Sequence, residues 1–128
     1  NIFDFATAED GPGWPNGPEH TLLLRRMLEN DGFKAAFINR MAVLLQMNFA
    51  TSRVTARINK MMSEIESEIP REQSKSRMER QLELIKDFAA NRPGIVYNEL
   101  REYFFLGAAA PVKLAVSGPG AVYVHGLK

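Results

Sequence analysis

From Leu22 to Phe104 apolar side chains recur every three or four residues, a period that a strand cannot use and that one face of an α-helix requires. Breaks in this pattern divide it into five predicted helices. Pro18 stands where a first turn can begin, and Leu22, Leu23, Leu24, Met27 and Leu28 give the first helix a broad apolar face. Asn30 or Asp31 can cap a second, carrying Phe33, Phe37, Met41, Leu44, Leu45 and Phe49. Thr51 or Ser52 can cap a third, with Val54, Ile58, Met61, Ile65 and Ile69, which Pro70 ends. Ser76 and Glu79 have the spacing of a capping box ahead of a fourth, with Met78, Leu82, Ile85, Phe88 and Ala89 on its stripe. The residue before a proline avoids helical geometry, so Arg92-Pro93 is expected to reset the chain. A fifth helix with Ile95, Val96, Leu100, Tyr103 and Phe104 then runs to Gly107, a residue suited to a C-terminal stop.

The flanks follow other rules. Asn1 to Glu19 reads as irregular, because the run from Gly11 to Pro18 sets three prolines and three glycines around a single tryptophan. Trp14 is expected to pin this loop by burying its ring against the helices; the functional alternative is a ligand-stacking tryptophan at a pocket mouth. Beyond Ala110-Pro111 the period changes to two. Val112, Leu114 and Val116 alternate with Lys113, Ala115 and Ser117, the run from Ser117 to Gly120 is turn chemistry, and Ala121 to His125 can return as the partner strand. A lone hairpin is marginal in water, so it packs on the helices or opens a β-rich module. The expected fold is mainly α, a helical unit over 1–110 with a Pro/Gly-rich N-terminal loop, followed by a C-terminal β-hairpin over 111–128.

Composition removes whole classes of chemistry. With no cysteine among 128 residues, disulfides, thiolate nucleophiles and cysteine-ligated metals are excluded. A formal charge of +1 gives no support for a nucleic-acid partner, which needs a basic excess gathered on one face. No apolar run approaches the roughly 20 residues that span a bilayer. The chain opens Asn1-Ile2-Phe3, without an initiator methionine or signal peptide, and is expected to be a piece of a longer protein.

Candidate sites are few. His20 and His125 lie at opposite ends of the sequence, without metal-ligand spacing, and are expected to be structural. Glu64, Glu66 and Glu68 sit in a mixed-charge run of the kind that forms a solvated helix face. Arg25, Arg26, Asn39 and Arg40 lie on the two predicted helices nearest the Trp14 loop. An arginine pair there could hold a phosphate or a carboxylate, although covering the polar side of an amphipathic helix is the expected role. Asp4 and Asp10 flank Glu9 and could meet a divalent cation, but turn chemistry is expected of them. There is no glycine-rich phosphate loop and no grouping of Ser, His and Asp that suggests a triad. The residues specify a scaffold, with no catalytic residue and no metal ligand; Asp10, Trp14, Arg25, Asn39 and Arg40 remain as surface or loop candidates.

Several strings together resemble a known family. The run from Asp10 to Asn16 leads into Leu23 to Phe33, then Phe37-Ile38-Asn39-Arg40, Glu68-Ile69-Pro70-Arg71, and Asp87 to Pro93. This order, from about Phe5 to Leu106, is similar to the C-terminal half of the CotH family, named for a bacterial spore-coat protein. The resemblance implies the helical C-lobe part of a protein-kinase-like domain. In the parent it implies transfer of phosphate from ATP to protein Ser or Thr, a divalent metal (Mg or Mn), and an extracellular or cell-surface bacterial setting. It also implies partners: an upstream N-lobe and catalytic segment of the same parent, and a protein substrate. The family's acidic metal-binding motif lies further from the Gly-Pro-Gly-Trp loop than Asp4 does, so no metal role is carried onto Asp4. After Arg71 this chain has Glu72-Gln73-Ser74-Lys75 where relatives often continue with His and later Arg-Trp. The other class of function is a non-catalytic module that binds a protein or glycan through the Trp14 loop.

Overall fold

A computed structural model describes residues 1–68, 73–108, 110, 113, 115 and 117–120. Five α-helices occur among them: α1 (Ile2–Ala6), α2 (Glu19–Leu28), α3 (Asp31–Met47), α4 (Thr51–Ile65) and α5 (Gln73–Tyr103), with a 3-10 turn over Glu66–Glu68 after α4. The mainly helical fold is as expected, and the described residues hold no strand. The C-terminal hairpin and Pro70 lie outside or largely outside the described residues. The chain divides into two compact units, Asn1–Val43 with Glu99–Lys128, and Leu44–Asn98.

The first unit begins with a correction. Residues expected to be irregular form α1, in which the Asn1 carboxamide oxygen accepts the Phe3 N–H at 2.9 Å as an N-cap. Five residues are too few to show a period, so periodicity could not reveal this helix. Its purpose is Phe3, which is 4% exposed. The ring centroids of Phe37, Tyr103 and Phe104 lie 6.3, 5.7 and 5.7 Å from that of Phe3. Thr7, just beyond α1, has one hydroxyl proton and gives it to the Phe3 carbonyl at 2.7 Å. The Tyr103 hydroxyl, 2.6 Å from Thr7 Oγ1, is therefore the donor in that pair.

Helix α2 turns a different face inward from the one its leucines suggest. Leu22, Leu23 and Met27 are exposed, and Thr21 is buried, with Leu24, Arg25 and Leu28 half-buried one and two turns along. Polar groups hold the inner face because unpaired loop carbonyls lie beside it. Helix α3 is capped as expected, Asn30 Oδ1 accepting the Phe33 N–H at 2.9 Å. It ends at Met47, leaving Phe49 outside the helix and half exposed.

The second unit shows how a proline is accommodated. Helix α5 runs through Pro93 without a break, against the expectation of two helices there. Pro93 has no N–H, so the Ala89 carbonyl one turn back loses its helical donor. Thr51 Oγ1 donates to that carbonyl at 3.3 Å, and Ala89 is buried. This also explains why Thr51 is not a cap: α4 starts after Ala50 with no side-chain cap, and the Thr51 hydroxyl is committed to α5. Thr51→Val is expected to cost about 0.5–1.5 kcal/mol in the wild-type background and close to nothing beside Pro93→Ala, whose restored N–H takes over the carbonyl. Urea unfolding of the two single variants and the double variant measures this coupling.

Further differences follow from local geometry. Ser76 lies inside α5 and cannot form a capping box at a helix start. On α4, Met62 rather than Met61 shares the half-buried side with Val54 and Ile58. Where it is described, the charged run is largely solvated as expected, with Lys60–Glu64 and Lys86–Glu83 ion pairs at 3.9 and 3.7 Å on largely exposed carboxylates. Such pairs add only about 0–1 kcal/mol each.

Helix α5 ends at Tyr103, and its stop residue is Phe105, two residues before the expected Gly107. The Leu106 N–H bonds the Arg101 carbonyl at 2.9 Å and the Phe105 N–H bonds the Glu102 carbonyl at 3.3 Å, the bond pair of a Schellman stop. That motif needs a left-handed residue, and Phe105, not a glycine, supplies it at φ 53°. For a bulky residue this conformation costs about 1–2 kcal/mol. Its ring offsets none of that by burial, being 94% exposed.

Candidate functional site

The sequence candidates fall into two groups. Asp10, Trp14 and Arg25 belong to the loop ahead of α2 and to α2 itself, while Asn39 and Arg40 are exposed on α3. No hydrogen bond or ion pair among the described residues joins Asn39 or Arg40 to the loop. The loop is held at its base by Thr21, whose hydroxyl lies 2.6 Å from the Ala8 carbonyl and 3.1 Å from that of Pro18. Arg25 Nε donates to Thr21 Oγ1 at 3.3 Å, and its guanidinium reaches the Glu9 carbonyl at 3.4 Å. Arg25 thus fastens loop backbone. Asp10 is exposed beside it.

Above this base the chain turns back on itself, the Asn16 N–H bonding the Gly13 carbonyl at 2.8 Å across the cis Trp14–Pro15 peptide. Gly11 has φ 81°, and a Cβ there would collide with the Gly17 backbone, so only glycine fits. At the tip Trp14 is 97% exposed. It does not anchor the loop; the polar contacts of Thr21 and Arg25 replace the expected burial of the indole. His20 is structural as expected, its Nδ1 accepting the Gly17 N–H at 3.0 Å.

A second location holds none of the five loop and surface candidates. At the end of α5, within the same unit, a groove of about 690 Å³ is lined by Asp4, Lys34, Glu102, Tyr103, Phe104 and Phe105, among others. Lys34 Nζ lies 3.0 Å from Asp31 Oδ1, and Asp4 Oδ2 lies 3.9 Å from the Asn1 amino group. Sequence reasoning missed this groove because it depends on α1 and on the helix stop at Phe105, neither of which leaves a periodic signal.

Among the described residues no three His, Cys, Asp or Glu side chains come together to hold a metal ion. The divalent cation that the resemblance implies belongs to the parent, and no described residue is assigned to it. No described helix is long and apolar enough to cross a membrane.

Within the first unit an aromatic cluster around Phe3 and an arginine-fastened Pro/Gly loop are set on helices α1 and α2. The CotH kinase protein family matches residues 4–96, more than half of the chain. The chain belongs to the CotH kinase protein family. The match begins within α1 and ends three residues past Pro93, so it takes in the Trp14 loop and the Thr51–Ala89 junction. No curated protein and no solved structure matches the chain.

Proposed function

We propose that this chain is the helical C-lobe portion of a CotH-like atypical protein kinase, serving as scaffold and not as catalyst. The observation that carries this reading is the family match over residues 4–96, laid on helices whose polar networks are spent on holding backbone. In the parent, an upstream N-lobe and catalytic segment would supply ATP and divalent-metal ligands, Mg or Mn, for phosphorylation of protein Ser or Thr. Phosphoryl transfer depends on positioning and on metal electrostatics, and both need groups that converge on the phosphates. The spore-coat relationship of the family supports an extracellular or cell-surface bacterial location for that parent. Calorimetric titration of this chain with Mg-ATP is expected to give no binding with a Kd below 1 mM, on the order of the weakest specific association. Micromolar binding would overturn the scaffold reading.

One observation favours a second reading, a non-catalytic module that binds a protein or a glycan. Trp14 is 97% exposed at the tip of a hydrogen-bonded loop, and an exposed indole is a common anchor for either kind of partner. Loss of partner capture by Trp14→Ala, with the melting temperature unchanged, would favour this reading over the first.

A further inference from the structure

The strained residue and the groove meet at one place. Phe105 occupies a left-handed position that glycine fills at lower cost, and its ring is 94% exposed, so the fold gains nothing visible from the side chain. Residues that break a local rule without a packing return cluster where function needs them. The ring stands on the rim of the groove whose other walls include Tyr103 and Phe104. Tyr103 is half-buried, its hydroxyl engaged by Thr7 and its ring packed on Phe3 and Phe104, so Phe105 is the exposed ring at this place.

The charges specify the occupant. Asp4 and Glu102 line the groove together with Lys34, and Lys34 is paired with Asp31. Two lining carboxylates stand against one ammonium that Asp31 already neutralises, so the balance is acidic. Aromatic faces beside unbalanced carboxylates suit a planar cation that stacks on a ring while donating to oxygen. We infer that this groove docks an arginine side chain presented by an extended segment of a partner protein, with Phe105 as the stacking face and Glu102 and Asp4 as acceptors. The guanidinium meets both needs at once, whereas an ammonium cannot stack and donate in a plane. This does not rest on the kinase-like reading.

The test uses the whole chain and a blocked Gly-Arg-Gly tripeptide, with the citrulline tripeptide as its uncharged counterpart. In an NMR titration the arginine peptide is expected to shift the amide signals of Glu102 to Leu106, and citrulline to bind roughly tenfold more weakly. Phe105→Gly is expected to weaken the arginine peptide about tenfold while raising the melting temperature by roughly 2–6 °C. Glu102→Gln is expected to weaken it by a smaller factor and to flatten the salt dependence. Equal binding of the two peptides, shifts confined to other residues, or a lower melting temperature for Phe105→Gly would each overturn the proposal. So would a wild-type dimer that Phe105→Gly dissociates, since a second copy would then be what covers the ring.

Discussion

Replacing Phe3 with alanine is expected to lower the unfolding free energy by about 3–5 kcal/mol. Phe3 is 4% exposed and its ring meets those of Phe37 on α3 and of Tyr103 and Phe104 at the end of α5. Truncation removes the transfer free energy of a phenyl group, the edge-on ring contacts and the filling of the space between them. A domain of ordinary stability has about 5–15 kcal/mol in total, so the variant is expected to be partly unfolded at 37 °C. Phe3→Leu keeps most of the volume and is expected to recover more than half of the loss. Urea unfolding followed by circular dichroism measures both. A loss under 1 kcal/mol for Phe3→Ala would show that α1 is not part of the core.

The second large effect is expected at Thr21, the buried polar side chain of the loop base. Thr21→Val keeps the shape and removes the hydroxyl that faces the Ala8 and Pro18 carbonyls and receives Arg25 Nε. Orphaned buried groups of this kind cost about 1–3 kcal/mol. Thr21→Ser retains the hydroxyl and is expected to lose less than half as much, which separates the hydrogen bonds from the packing of the methyl. Limited proteolysis is a second readout, because cleavage within 8–18 is expected to speed up in Thr21→Val and not in Phe49→Ala, whose half-exposed ring lies in the other unit.

What the sequence made legible and what it did not have separable causes. Helices announced by five or more apolar residues at helical spacing are present, as α2, α3, α4 and α5 show, because burial of a stripe is a local pattern with a global reward. The Asn30 cap was legible for the same reason, since its donor lies three residues away. Pro93 misled because its penalty is local and its remedy, Thr51, is 38 residues distant from the carbonyl it serves. Leu22, Leu23 and Met27 of α2 misled because inward polar groups were needed by a loop whose conformation no period encodes. Trp14 misled in the opposite sense: aromatic residues are usually buried, and this one stands clear of the fold. Of the candidate residues, Arg25 proved informative about the loop, and the groove at Phe105 had no sequence signal beyond a glycine two places too late.

The Thr51–Ala89 bond also orders events during folding. A segment carrying Pro93 alone has no internal donor for its Ala89 carbonyl, so before α4 arrives the backbone there is best served by water and by a bend. The 31-residue continuity of α5 is then a late property, acquired when the hydroxyl from α4 displaces that water. The longest of the described helices is for this reason a poor candidate for the nucleus. The shorter α3, capped by its own flanking asparagine and free of proline, is better placed to form first.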